Sequence, residues 1–237
     1  MRYARVSAAP PSGYPVRVVR LRGLAPLSGA LAAVLWIVSV VVLEAGGNPA
    51  DPNRGAEVAQ HFADNRTAIL VAGLLHTLGG FFFLWFLGTV WDALRRLGED
   101  VDWLRTATLV SGAAAAALML GLTGPQTTGA TTDVELLESQ SSVAFWRLSH
   151  TFFVGAEFAF SVFVAALSLL ALARGVLPRW LGWFGLFTAL VLLIVPIGWI
   201  ALLLLVPIWL IAASVVLFRR ARTTFPEGSA STPEVAA

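Results

Sequence analysis

The stretch that decides the fold is Phe145–Ala173, FWRLSHTFFVGAEFAFSVFVAALSLLALA, an apolar run with few charged side chains. About 20 such residues are enough for a helix to cross the ~30 Å hydrocarbon core of a bilayer. At about 100° per residue, its strongly polar side chains, Ser149 and Thr151 excepted, fall on one stripe about 80° wide. The stripe consists of Arg147, His150, Glu157, Ser161 and Ser168. A carboxylate in the middle of such a helix is costly in lipid, so Glu157 is predicted to face protein or a water-filled cavity.

The composition of the whole chain indicates that its solvent is mostly lipid. Of its 237 residues, 57% are hydrophobic and 13% are charged, whereas a soluble domain carries about 25% charged residues. The absence of cysteine excludes disulfides, thiolate metal sites, iron–sulfur clusters and cysteine nucleophiles. All 16 basic residues are arginine, which together with abundant alanine, glycine and valine is typical of a GC-rich bacterial genome.

The predicted fold is all-α, a polytopic membrane bundle of six transmembrane helices. The spans are predicted at 24–45, 67–91, 104–122, 145–173, 180–195 and 199–218. The last two divide one uncharged run, Trp180 to Phe218, which as a single helix would be about 60 Å long, twice the thickness of the membrane. Pro196 and Gly198 near its middle favour a break there, and Pro207 favours a kink in the sixth span.

The segments outside the six-span domain (24–218) are predicted as follows. Residues 1–23 form a flexible cytoplasmic arm, and residues 219–237 form a cytoplasmic tail. Val58 and Phe62, four residues apart, predict a short helix on the outer surface between Arg54 and Asp64. The threonine-rich, acidic segment from Gly124 to Val143 is predicted to be a loop.

The arginines predict the orientation of the bundle. Six spans bring both ends of the chain to one side, and every arginine except Arg54, Arg66 and Arg147 falls on that side. Because cytoplasmic segments carry such an excess, both termini are predicted in the cytoplasm. The same rule accounts for the isoelectric point near 9.9, so no nucleic-acid partner is predicted. Membrane lipid is the expected partner, and a protein partner or a second copy of the chain stays open.

His76 and Glu157 are the candidate buried polar residues. They lie about 14 Å and about 18 Å along two helices that run in the same direction. We therefore expect them either to pair across the second and fourth spans or to line one shared cavity. Such a pair is either a structural hydrogen bond, worth about 0.6 kcal/mol in a membrane, or a protonatable gate in which His76 relays a proton.

A second polar cluster, Glu138, Arg147 and His150, is predicted at the outer rim. It is either a salt-bridged edge of the bundle or a contact for an anion or a lipid headgroup. Haem ligated by His76 and His150 is disfavoured, because His150 lies only about 7 Å into its helix and the two depths differ. No cofactor, metal ligand or catalytic residue is predicted, since no motif for one is present.

Several segments resemble a known family. They are Asp51-Pro52, the sequence FADNRT at 62–67, FLWFL at 83–87 and, most specifically, GVLPRWLGW at 175–183. Together they resemble six-helix inner-membrane proteins common in actinobacteria, which are grouped as a domain of unknown function. The resemblance covers most of residues 24–220 and implies a bacterial plasma membrane location and a six-span layout. It implies no catalytic residue.

Three functional hypotheses follow from these observations. The first is a non-enzymatic accessory or structural membrane protein whose polar stripe holds the second and fourth spans together. The second is a small proton-linked transporter or permease that uses Glu157 and His76. The third is an intramembrane enzyme acting on lipid, which would require a lateral opening beside Arg147 and His150.

Overall fold

The computed structural model describes residues 23–137 and 139–224, and this part of the chain is helical with no β-strand. Its α-helices are α1 Ser28–Glu44, α2 Gly55–Asp64, α3 Arg66–Leu94, α4 Asp102–Thr131, α5 Ser139–Arg174, α6 Arg179–Leu192, α7 Val195–Ile200 and α8 Val206–Thr224. Short 3₁₀ turns occupy Ala25–Leu27, Glu99–Val101 and Val134–Leu136, and a π-helical turn, Ala201–Leu205, joins α7 to α8. The all-α prediction is confirmed.

The outside of the bundle is apolar along its length. Within the described residues, five helical segments are long and apolar enough to cross a membrane, namely Ala25–Glu44, Arg66–Leu94, Glu99–Thr131, Gln140–Arg174 and Pro196–Arg222. Val41, Leu74, Val110 and Leu190 each expose more than 60% of their surface. Such an apolar surface matches lipid rather than water. The helices also satisfy their own backbone polar groups, which a membrane interior requires. The prediction of a multi-pass membrane protein is confirmed at this level.

Helices that follow one another in the sequence pack side by side. α1 packs on α3, α3 on α4, α4 on α5 and α5 on α6, and α8 returns to α1. Aromatic rings fill the centre: Phe83 contacts Trp36, Phe160 and Phe163 at centroid distances of 5.4, 5.3 and 5.4 Å. Trp209 of α8 joins this cluster against Phe163. The core is therefore a block of rings that ties all the long helices together.

The third long helix continues beyond its predicted end. The sequence predicted a span ending at 122 and a loop from Gly124, whereas α4 stays helical through Thr131 with Pro125 inside it. Threonine hydroxyls in this part donate to carbonyl groups one turn earlier, as in Thr128 to Gly124 and Thr132 to Thr128. Gly129 lies against the ring of Phe62, so packing on α2 supports a segment that its composition alone assigns to a loop.

The run from Trp180 to Phe218 is interrupted as predicted, but the break lies at Leu193 and Ile194, whereas Pro196–Gly198, where it was predicted, are helical in α7. α6 ends at Leu192, and α7 begins at Val195 with Pro196 in its first turn, where the missing N–H costs nothing. Near Pro207 the chain widens into the π-helical turn. Proline cannot donate to the carbonyl of Leu203, so the regular hydrogen bonding is broken at this point.

Contacts between the connections define the two ends of the bundle. At one end Arg174 pairs with Asp100, and the Arg220 guanidinium donates to the carbonyls of Gly175 and Val176. Gly175 has φ +65°, which lets α5 stop there. The α3–α4 connection, the α5–α6 turn and the end of α8 therefore lie together, and α2 covers the opposite end.

Candidate functional site

The inner part of the polar stripe of α5, Glu157, Ser161 and Ser168, faces α6 and α7. Glu157, Ser161 and Ser168 are all buried. The Ser161 hydroxyl donates to the carbonyl of Ala189, 2.9 Å away, and the Ser168 hydroxyl lies against Gly185. The Ser161 hydroxyl is thus bonded to α6, whereas the buried Ser168 hydroxyl has no hydrogen-bond partner among the described residues. Small residues of α6 let this part of the stripe form an interface between neighbouring helices.

Glu157 points into the bundle, with 2% of its surface exposed. Its carboxyl group lies against Gly198 of α7, where an added Cβ would be 3.2 Å from the carboxyl carbon and 3.2 Å from Oε1. Within the described residues, the carboxyl group makes no hydrogen bond or ion pair. A buried carboxyl group without a cationic neighbour is costly in a membrane interior, which is why it faces protein rather than lipid.

His76 is also buried, but its ring faces α1. Its Nδ1 lies 3.4 Å from the Ser39 hydroxyl, and its ring centroid lies 6.1 Å from that of Trp36. The Trp36 indole N–H donates to the His76 carbonyl at 3.2 Å. The other ring nitrogen, Nε2, is buried without a hydrogen-bond partner among the described residues.

The expected pair between His76 and Glu157 is not formed. Among the contacts of the described residues, no hydrogen bond or ion pair joins the two side chains. α3 packs along α1 and α4, and it meets α5 through phenylalanine rings such as Phe83 and Phe160. The second and fourth spans are α3 and α5, and they meet through aromatic rings. The polar stripe of α5 therefore does not hold these two helices together.

A cavity of about 370 Å³ lies beside His76. Its wall is formed by apolar and aromatic side chains of α1, α4, α5 and the α7–α8 segment, with His76 as the titratable residue among them. Glu157 does not line it. The alternative expectation, one cavity shared by the two candidate residues, is therefore not met either.

The predicted outer rim is only partly assembled. The Arg147 guanidinium donates to the side-chain carbonyl of Asn53, 3.0 Å away, and so ties α5 to the loop before α2. His150 is exposed and stacks on Phe153 with ring centroids 6.4 Å apart. Glu138, the third predicted member, lies outside the described residues.

A third histidine, His61 of α2, was not singled out in the sequence. Its ring meets the Trp146 ring edge-on at 5.7 Å, and its Nδ1 lies 3.1 Å from the amide nitrogen of Asn65. Burial lowers the pKa of His61, and the nearby Asp64 carboxylate partly opposes this effect. The spacing of Val58 and Phe62, which predicts the helix, was the available signal, since His61 precedes Phe62 on that helix.

Gly185 and Gly198 are the other residues that sequence reasoning missed as parts of the site. Both lie opposite the polar stripe, and both are glycines where a side chain would collide with Ser168 or Glu157. Within residues 23–137 and 139–224, no group of three acidic or histidine side chains is arranged to hold a metal ion. No protein-family model, curated protein or solved structure matches the chain.

Proposed function

We propose that the chain is a non-enzymatic accessory or structural protein of a bacterial plasma membrane, with six spans and both termini in the cytoplasm. The observation that carries this proposal is the packed centre of the bundle, where Trp36, Phe83, Phe160, Phe163 and Trp209 contact one another. A block of rings across the axis fills the centre of the described bundle with apolar side chains, which favours a structural role over an aqueous pathway. Two buried serines, Ser161 and Ser39, donate to carbonyls of neighbouring helices, which is a structural use of polar groups in membranes.

Six spans require α6 to cross the membrane together with the five longer segments. α6 has 14 residues and is about 21 Å long at 1.5 Å per residue, which is shorter than the ~30 Å hydrocarbon core. In this proposal the non-helical residues after Leu192 complete the crossing. The arginines support the orientation. Arg174 and Arg220 bind at one end of the bundle, where the α3–α4 connection also lies, and this end is the one expected to face the cytoplasm.

Membership of the actinobacterial six-helix family is part of the same proposal. The segment 175–183 supports it, since in the structure Gly175 ends α5 and Arg179 begins α6. Membrane lipid is the proposed partner of the outer surface, and a second copy of the chain could cover part of it.

The orientation can be tested directly because the chain contains no cysteine. Asn53→Cys and Arg96→Cys would each be expressed in intact bacterial cells and treated with a membrane-impermeant maleimide. We expect labelling of Asn53→Cys in intact cells and of Arg96→Cys only after lysis, with the unsubstituted chain as the blank. Labelling of Arg96→Cys in intact cells would contradict the orientation.

A proton-linked transporter or permease is the second candidate, favoured by the buried Glu157 carboxyl group at the break before α7. In proteoliposomes that enclose a pH-sensitive dye, an accessory protein should give no proton flux above that of empty vesicles. Flux in the wild type that is lost in folded Glu157→Gln would establish transport and exclude the accessory role.

An intramembrane enzyme acting on lipid remains the third hypothesis, and it requires substrate to enter beside Arg147 and His150.

A further inference from the structure

Acidic and basic side chains are divided unevenly at the end of the bundle that contains the α5–α6 turn. Residues 92–105, which include the α3–α4 connection, contain four acidic residues and three arginines, whereas residues 175–224 contain four arginines and no acidic residue. The acidic residues of the first segment pair with Arg95, Arg105 and Arg174. Among the described residues, the guanidinium groups of Arg179, Arg219 and Arg222 form no ion pair or hydrogen bond. These three arginines therefore carry positive charge that no described acidic residue balances.

The end of α8 lies against the start of α6. The Arg220 guanidinium donates to two carbonyls of the turn that leads into α6. The Trp209 indole N–H donates to the Leu181 carbonyl, 3.2 Å away. These contacts, at two positions along α8, hold the two helix ends together.

Three exposed arginines lie at this junction, Arg179 as the first residue of α6 and Arg219 and Arg222 in the last two turns of α8. We call them the α6–α8 corner. Arg219 and Arg222 are three residues apart and so lie on one face of α8. The Arg222 guanidinium carbon lies 4.5 Å from the centroid of the Phe218 ring, and this stacking leaves the N–H groups at its edge to bind a ligand. The N-cap residue of α6 is Pro178, which supplies no side-chain acceptor, so the first N–H groups of α6 add donors for an anion.

Exposed aromatic residues place the corner at the level of the lipid headgroups. Trp180 and Trp183, in the first two turns of α6, expose 59% and 64% of their surface, and exposed tryptophan is typical of the membrane–water interface. Phe187 and Leu190 continue this row, each more than half exposed. The four positions are three or four residues apart, so they form one apolar stripe about 15 Å long that begins beside Arg179. The acyl chains of a lipid whose headgroup lies at the corner would contact this stripe.

We propose that the α6–α8 corner binds the phosphate headgroup of an anionic phospholipid, with its three guanidinium groups as donors and the apolar stripe of α6 as the contact for the acyl chains. The unbalanced charge favours a ligand with a net negative charge, by about fivefold in affinity for each arginine beside an anionic membrane surface. The stripe favours a lipid over free phosphate, which has no apolar part. This site goes beyond the accessory role and depends neither on that role nor on which end of the bundle faces the cytoplasm.

The test measures the affinity of the full chain, in dodecylmaltoside micelles, for two lipids with the same acyl chains. Dioleoylphosphatidylglycerol carries a net negative charge and dioleoylphosphatidylcholine does not, and native mass spectrometry counts the bound copies of each. We expect the first phosphatidylglycerol to bind about tenfold more tightly than the first phosphatidylcholine, as the fivefold gain per arginine allows. Glycerophosphoglycerol, the same headgroup without acyl chains, is the third probe and should not displace the lipid at about a tenfold molar excess.

Three variants remove one donor each, namely Arg179→Gln, Arg219→Gln and Arg222→Gln. Each should lower the affinity for phosphatidylglycerol about two- to fivefold and change that for phosphatidylcholine less. The matched control is Arg96→Gln. Arg96 is also exposed and forms no ion pair with a described residue, but it lies among the acidic residues of the α3–α4 connection, so this variant should keep the preference. An unfolding midpoint close to that of the wild type confirms that each variant is folded.

Four results would overturn the proposal. One is equal affinity of the wild type for the two lipids. Another is the same loss of preference in Arg96→Gln as in the corner variants, which would assign the effect to the net charge of the whole chain. The third is displacement of the lipid by glycerophosphoglycerol, which would mean that the headgroup alone is recognised. The fourth is a preference that appears only in the double variant Glu227→Gln/Glu234→Gln, because these acidic residues follow α8 in the sequence and the tail would then occupy the corner.

Discussion

The carboxyl group of Glu157 lies directly against Gly198, across the interface between α5 and α7. A methyl group at position 198 would be 3.2 Å from the carboxyl carbon and 2.9 Å from the carbonyl oxygen of Leu192. A side chain at position 198 would therefore be too close to the Leu192 carbonyl and would push the Glu157 carboxyl group aside. In membrane bundles, small residues allow this kind of close approach between helices.

Gly198→Ala is expected to destabilise the protein by about 1–3 kcal/mol, the usual cost of overpacking a core. The collision outweighs the higher helix propensity of alanine, worth about 1 kcal/mol. The measurement is the thermal unfolding midpoint of the purified protein in detergent. Gly88→Ala is the matched control, since nothing lies within 4 Å of its added Cβ, and it should be neutral or stabilising. Equal loss in both variants would contradict the close approach at Gly198.

Ser161→Ala is expected to cost little, about 0.6 kcal/mol, the average for hydrogen bonds between membrane helices. It removes the donor to the Ala189 carbonyl without creating a collision. Thr151→Ala is the control, because its exposed hydroxyl binds only within its own helix. Chemical unfolding in mixed micelles would compare the two variants. A loss of several kcal/mol at Ser161 would mean that the stripe stabilises the α5–α6 interface far more than one ordinary hydrogen bond.

The packing of α2 should weaken as the pH falls below about 6.5. Burial lowers the pKa of His61 below its usual value, although Asp64 acts in the opposite direction. Because the folded-state pKa is depressed, this contribution to stability is full above the unfolded pKa and is lost as the pH falls through the folded one. Protonation would also remove the lone pair of Nδ1 that faces the Asn65 amide. Trp146 contacts the His61 ring, so its fluorescence should report the change.

His61→Gln is the control for this pH effect. It cannot titrate in this range, so the slope of the unfolding midpoint between pH 7.5 and 5 should decrease in the variant. A second control is Glu44→Gln, because Glu44 lines the same crevice as His61. This variant should keep the slope of the unfolding midpoint against pH that the wild type shows. An unchanged slope in His61→Gln would assign the pH dependence to another group.

Arg220→Met is expected to lower stability by about 1 kcal/mol. The Arg220 guanidinium donates to two carbonyls of the α5–α6 turn, at 2.8 Å to Gly175 and 2.7 Å to Val176. Hydrogen bonds from charged groups are worth about 1.5–3 kcal/mol, and exposure to solvent reduces that value. Arg219→Met removes an equal charge from the neighbouring exposed position and should have a smaller effect. The readout is hydrogen exchange at residues 175–177, which should increase in Arg220→Met alone.

The sequence predicted the local structure better than the contacts between helices. The helix at Gly55–Asp64 and an interruption within Trp180–Phe218 were both anticipated, although the break lies before Val195 rather than at Pro196–Gly198. Each depends on residues within one or two turns of the chain. The helical end of α4 was not anticipated. Its threonines favour a loop by composition, and contacts with other helices, such as that of Gly129 with Phe62, account for its order.

The sequence likewise predicted one property of the candidate site, the inward position of Glu157, but not the neighbours of its residues. The inward position of Glu157 followed from the cost of a charge in lipid. The depth of His76 along its helix suggested a partnership with Glu157, but depth carries no information about which neighbour a face meets. In the structure His76 faces Ser39 of α1, and Glu157 faces Gly198 of α7.

The sequence by itself determined that this protein is a membrane bundle with a buried acid, because the length of an apolar run and the penalty for exposing charge to lipid are properties of single helices. The tertiary structure decided the rotation and the neighbours of each helix. These depend on how side chains from distant segments fill space together, such as the rings of Trp36, Phe83 and Phe160. Only there did His76 come to lie beside a cavity.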